Sequence, residues 1–372
     1  MKHSLINDEV ISIPFDEGIQ DITKQLELNS STIKVEGLLG SSRALFLTRL
    51  IQCTSRQIVV LTSDQNNGEK LISDLKYFYH FNNIKQIFRF FPTWELLPYE
   101  NLSPLSEISG ERLEILNLLQ HNETLLIVVP VEAIMQCVIP RVELTKRTFS
   151  FTKGKTLERE FLETCLFENG YARIPMVENR GEFSVRGDII DVFPPASVNP
   201  IRIEFFDDMV ESIREFDISS QVSLKEIEKI EILPVREVSP TLEQKEAGLE
   251  KISQLAKEQG ADPAGLKELL DKIKYLGNFA GMEHLASFFY PRRETLFDYF
   301  SRDAVFVFDE EDDVRFKIDH YHELILAEYD SARCRGDIVA PPHWFYLELE
   351  EIKDRLAERK MISINALNVE HS

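Results

Sequence analysis

The chain has 372 residues, 43% of them hydrophobic and 28% charged, which suits two or three globular domains. Its 42 Lys and Arg face 63 Asp and Glu, and a net charge of -21 argues against a general grip on a nucleic-acid phosphate backbone. No apolar run approaches the roughly 20 residues of a membrane span, and the opening MKHSLINDEV lacks the apolar core of a secretory signal, so the chain is expected to be cytoplasmic and away from membranes.

In chain order, residues 31–35 (STIKV) read as a first strand, followed by a glycine turn and a helix over 43–53. Residues 57–62 read as a second strand and 67–79 as a helix. Strands at 86–91 and 125–129 enclose a helix at 109–120. Apolar strands alternating with helices predict a parallel sheet covered on both faces. Residues 1–140 are therefore expected to form the first part of a nucleotide-binding-like α/β domain.

The texture changes near Pro140. Over 141–221 turns become more frequent, and 11 Lys and Arg against 15 Asp and Glu make this stretch less acidic than the rest. A helix over 157–169 ends at Gly170, a suitable C-terminal cap. Residues 201–206 and 209–213 alternate in and out around Asp207-Asp208 and predict a β-hairpin. This stretch is read as a small inserted α+β domain. Short strands at 230–234 and 304–308, with a charged helical region at 242–273 between them, assign 222–347 to the resumed α/β domain. Residues 348–372, beginning EIKDRLAERK after Glu348-Leu349-Glu350, read as a helical linker with a polar stop.

Cys53, Cys137, Cys165 and Cys334 form no CxxC pair and read as small buried thiols. His320 and His322 have no further ligand at a useful spacing, so no metal site is expected. More informative is Gly37 to Ala44, GLLGSSRA, which stands between strand and helix where a phosphate loop would read GxxxxGK[ST]. Ser42 replaces the second glycine, Arg43 the phosphate-binding lysine and Ala44 the magnesium-binding hydroxyl. Asp309-Glu310, after AVFVF, holds the place of the acidic pair of such a site. The expectation is a degenerate phosphate loop with no cofactor and no ATP turnover.

Long aromatic-rich segments carry a family resemblance. FPTWELLPYENLSPLSEISGERLEIL (91–116), VVPVEAIMQCVIP (128–140), GEFSVRGDIIDVFPP (181–195), IRIEFFDDMVESIREFD (201–217) and HLASFFYPRRETLFDYF (284–300) resemble, in order, the UvrB-like N-terminal module of bacterial transcription-repair coupling factors. The degenerate loop, and the lack of a Tyr-rich hairpin between 92 and 109, separate the chain from UvrB itself. The resemblance implies a helicase-like parallel-sheet fold with an inserted domain, and a non-enzymatic module that recruits the repair protein UvrA. In the full-length family protein, an ATP-dependent translocase, RNA polymerase and DNA would be engaged through regions absent here. The alternative is a UvrB-like ATP-dependent helicase or excision component.

Carried over by position, the resemblance assigns UvrA binding to Arg173 and Arg186, with Phe183 as an apolar neighbour and Arg180 and Glu182 flanking. A third basic position of the family falls on Ser184. Strand alternation would place Phe183, Val185 and Ile189 inward and Ser184, Arg186 and Asp188 outward. An outward arginine should be replaceable, even by glutamate, within about 0.5 kcal/mol of stability.

Overall fold

A computed structural model of the chain describes residues 15–28, 32–82, 87–121, 125–276 and 278–366. Helix α1 (Phe15–Glu27) precedes β1 (Thr32–Glu36), α2 (Ser42–Cys53), β2 (Ile58–Thr62), α3 (Gln65–Asn82), β3 (Ile87–Phe90), α4 (Ser106–Gln120) and β4 (Leu125–Pro130). This first part of the chain supplies four strands of a sheet, β1 at one edge and β2, β4 and β3 at the other. Every residue of β2 and β4 is buried, as unbroken β-branched and leucine runs require of strands covered on both faces. The expected start of β1 at Ser31 and of β3 at Gln86 lies outside the described residues.

The inserted unit follows a short helix α5 (Arg141–Arg147). It contains β5 (Phe149–Thr152), α6 (Arg159–Glu168), β6 (Ala172–Arg173), β7 (Glu182–Arg186), β8 (Ile189–Val192), β9 (Ile201–Phe206), β10 (Met209–Phe216), β11 (Ser223–Glu226) and β12 (Lys229–Ile232). Six of these strands form a sheet in the order β11-β10-β9-β8-β7-β6, antiparallel except for the β6–β7 pair. The alternating residues Phe183, Ile190, Ile203 and Ile213 bury one face together with Leu162 and Leu166 of α6. Asp207 turns the expected hairpin with φ of 51°.

The frame resumes with α7 (Leu242–Gln259), α8 (Pro263–Tyr275), β13 (Val305–Asp309), α9 (Glu311–Arg335), α10 (Leu349–Ala357) and β14 (Lys360–Asn365). Its six parallel strands lie in the order β1-β14-β13-β2-β4-β3. Side chains divide by parity. Val59, Leu61, Ile127, Phe306 and Phe308 enter one core, whereas Val60, Leu126, Val128, Val305, Val307, Ile362 and Ile364 enter the other.

Four expectations need correction. The segment read as a linker contributes β14, which runs between β1 and β13; its KMISIN sequence is short and polar-flanked, but both neighbours are distant in sequence. Residues 367–372, the expected polar stop, lie outside the described residues. The apolar stretch near 230 pairs antiparallel with β5, Ile230 opposite Phe151 and Ile232 opposite Phe149, and so stands with the small unit rather than with the frame. Gly260, left-handed at φ 64°, ends α7, and Asp262 with Pro263 restarts the chain as α8, which divides the expected single helical region. Finally, Cys137 and Cys165 are buried, but Cys53 and Cys334 are exposed.

The inserted unit sits on α4. Gly110 there is so close to the 195–196 turn that a Cβ would meet the Pro195 carbonyl carbon at 2.5 Å and the Ala196 nitrogen at 2.7 Å. Asn117 donates to Glu231 at 2.6 Å, and Arg180 faces Glu107 at 3.6 Å. Where the chain leaves the unit, Glu237 receives the fully buried Arg112 of α4 at 2.5 Å and the Trp94 indole at 3.0 Å.

Candidate functional site: a tied phosphate loop and an arginine-flanked sheet edge

The loop between β1 and α2 keeps the glycine geometry of a phosphate loop but not its chemistry. Gly37 and Gly40 stand at φ 84° and 54°, in the left-handed region that a side chain disfavours. Ser42 begins the helix, with its hydroxyl on the Leu39 carbonyl at 2.8 Å. Ala44 is completely buried, a core position with no hydroxyl to offer.

Arg43 turns across the sheet end instead of outward. Its Nη1 donates to Asp309 at 2.7 Å, its Nη2 to Glu310 at 2.6 Å and its Nε to the Leu38 carbonyl at 3.2 Å. Burial pushes the Asp309 carboxyl up from the usual range, and the adjacent guanidinium pulls it the other way. Glu310 takes φ of 59° and also accepts the Ala366 amide at 3.1 Å. The cation in the phosphate-binding position is therefore engaged by the carboxylates that stand in the metal-binding position.

The inserted unit places Arg173 and Arg186 at one sheet edge. Strand β6 is the outermost, and its Ala172 and Arg173 are both exposed. Arg173 lies opposite Phe183 in a parallel register, which puts it on the same side of the sheet as the core. Its side chain, 59% exposed, reaches Glu163 of α6 at 3.1 Å. Arg186, three residues beyond Phe183, belongs to the opposite face. The two arginines thus flank the β6–β7 edge from either side.

Arg186 is not free. It contacts Asp191, a carboxylate only 1% exposed, at 2.5 Å. Arg202 grips the same carboxylate at 2.7 and 2.9 Å and covers Phe216 at 4.5 Å. The hydrogen bond to Asp191 raises the already high Arg202 pKa. The expected tolerance to Arg186→Glu is therefore revised: a new carboxylate there would face buried Asp191.

The flanking positions divide. Phe183 is buried in the core of the unit and supports the edge from behind. Ser184 shares the Arg186 face but is buried beside Asp191 in register, against the expected outward position. Arg180 donates to the carbonyls of Pro195 and Ser197 and lies 5.1 Å from the Phe193 ring centroid, which fastens the turn that meets α4. Glu182 accepts the amides of Glu178 and Asn179 at 2.9 and 2.7 Å and shapes the loop before β7.

The sequence reading missed Asp191 and Glu163, which hold Arg186 and Arg173, as well as Arg202, which shares Asp191, and the exposed Phe161 and Phe167 on α6. The two phenylalanines had a signal: Leu162, Cys165 and Leu166 form the buried stripe of α6, and both rings fall outside it. No helix among the described residues is long and apolar enough to cross a membrane.

Comparison with known proteins supplies the context. The family model of the UvrB interaction domain matches residues 149–237, the stretch from β5 to the Glu237 anchor. A transcription-repair-coupling factor of Myxococcus xanthus is 29% identical over 91% of this chain and 29% of its own length. Those of Haemophilus influenzae and Bacillus subtilis are 28% and 33% identical over 90% and 74% of the chain, or 28% and 24% of their own lengths. The chain spans less than a third of each of these relatives. With the interaction domain in place and the similarity continuing through the α/β frame around it, the chain is similar to a UvrB-like N-terminal module of transcription-repair-coupling factors.

Proposed function

We propose that this chain is the UvrA-recruiting module of a coupling factor and has no ATPase or motor activity of its own. One observation carries the reading: Arg173 and Arg186 flank an exposed sheet edge inside the segment matched by the UvrB interaction domain. Arginines beside exposed aromatic rings on a rigid sheet are the composition of an interface anchor. RNA polymerase and DNA would be engaged by other parts of the full-length protein.

The test is a binding titration of the chain against purified UvrA, with Arg186→Ala and Arg173→Ala in parallel. Alanine is chosen because Asp191 keeps Arg202 when Arg186 is removed. A desolvated interfacial arginine contributes about 2–5 kcal/mol, so each variant should bind roughly 30-fold or more weakly with an unchanged melting curve. Full affinity in both folded variants would remove these residues from the site. The tie from Arg43 to Asp309 and Glu310 supports the absence of turnover. Steady ATP hydrolysis that disappears in Asp309→Asn would instead favour a UvrB-like helicase.

A further inference from the structure

A cavity of about 350 Å³ opens where the chain leaves the inserted unit and meets α7 and the 286–294 segment. No residue between 140 and 236 lines it, so it is separate from the arginine-flanked edge. Its walls include Trp94, Val138, Val238, Tyr290, Trp344 and Phe345. The chain has two tryptophans in all, and both are there. The volume is within the range of sites that take a large side chain or small ligand.

The charges around this cavity do not cancel. Glu237 is occupied by Arg112 and the Trp94 indole. Glu294 accepts the Arg141 amide at 2.8 Å, with the Arg141 Nε at 3.6 Å. Arg293 is held by Glu351 at 2.7 and 3.1 Å and by the Tyr346 carbonyl. Two cations are left over. The Lys251 ammonium reaches the Phe288 carbonyl at 3.3 Å, and Arg292, exposed, has no carboxylate partner among the described residues. In a chain of net charge -21, an aromatic cavity edged by uncompensated cations is a local reversal of sign.

That combination selects an occupant. The walls are mainly ring and aliphatic surface, with the Ser287 hydroxyl, which has no hydrogen-bond partner among the described residues, as a spare polar group, so they suit an apolar anchor better than a base edge needing several hydrogen bonds. We propose that the cavity is a second docking site, taking one bulky apolar side chain from an acidic segment of a partner protein. The apolar side chain enters between the tryptophans while flanking carboxylates meet Lys251 and Arg292. Deep apolar anchors ringed by charge-complementary contacts are where binding energy concentrates.

The tryptophans make the site self-reporting. The whole chain is titrated with a blocked heptapeptide Asp-Glu-Asp-Phe-Glu-Asp-Glu, followed by indole emission and calorimetry. A dissociation constant of about 0.1 mM is expected for a single anchor, weakening as salt is raised. A twin with serine for phenylalanine, and the phenylalanine peptide against Arg292→Glu or Lys251→Glu, should each bind at least about tenfold more weakly. Both replaced side chains lie at the surface, and a melting curve checks each fold. The idea is overturned by no binding up to about 2 mM, by equal binding of the serine twin, or by equal binding to both folded variants. A lysine-flanked twin binding as well would refute the charge argument. Saturable quenching by an octathymidylate in place of the peptide would reassign the cavity to nucleic acid. Emission changing with protein concentration alone would reassign it to a second copy of the chain.

Discussion

Removing Arg112 tests how the inserted unit is joined to its frame. The guanidinium is fully buried. It donates to Glu237 through Nε and, at 3.4 Å, through Nη2, to the Pro92 carbonyl at 2.9 Å and to Gln136 at 3.4 Å, with the Phe91 ring centroid 4.4 Å away. Glu237 is 3% exposed, so Arg112→Met strands a carboxylate that keeps only the Trp94 indole as donor among the contacts described here. Breaking a buried pair from one side costs about 3–5 kcal/mol, which lowers the melting temperature by on the order of 10 °C in a chain of this size. The double change Arg112→Met with Glu237→Leu replaces the pair by apolar volume and should recover at least about 2 kcal/mol. Urea and thermal unfolding of the four proteins measure this. A cost below about 1 kcal/mol for Arg112→Met, or a double variant as damaged as the two singles added, would refute the reasoning.

Burial lowers the His284 pKa to about 4, against the opposing pull of the Glu100 backbone and charge, and its Nε2 has no hydrogen-bond partner among the described residues. The stability this neutral ring contributes is complete above pH 6.5 and lost as pH falls toward 4, up to roughly 3 kcal/mol; His284→Gln should flatten that part of a stability–pH profile measured against the parent. Gly110→Ala gains helix propensity of about 1 kcal/mol but drives a methyl into the Pro195–Ala196 backbone, so a net loss of about 1–2 kcal/mol is expected by chemical unfolding, and a stabilised protein would mean that the seat is looser than described. An isolated 149–237 segment should give dispersed amide spectra, whereas 141–221 lacks the β12 partner of β5 and should not; equal dispersion would show that this pairing is dispensable.

Features written locally were readable from the sequence. Strands β2, β4 and β13 are nearly continuous aliphatic or aromatic runs, and burial on both faces follows from that. The β9–β10 hairpin is set by alternation and its two aspartates. The loss of phosphate chemistry at Ser42, Arg43 and Ala44 was also legible. Where Arg43 goes was not, because Asp309 lies 266 positions away and only the sheet brings them together. The same reason hid β12 against β5 and β14 between β1 and β13. Around Arg173 and Arg186, alternation correctly put Phe183 inside and Arg186 outside. It failed for Ser184, because a polar face that carries its own network around Asp191 is not open to water at every position.

Strand β14 also sets an order of events during synthesis. Among the described residues β1 has β14 as its sole neighbour in the sheet, with Thr32 beside Met361 and Glu36 beside Asn365. The strand made first therefore waits until residue 365 has left the ribosome before any of its ladder hydrogen bonds can form. The inserted unit draws its strands from 149–232 and can be complete long before then. Such distant closure slows folding and leaves apolar strand edges uncovered in the meantime. A nascent chain stalled before β14 should hold a folded interaction domain on an unfinished frame, recognisable by chaperones through β1 and α2 and open to proteases there.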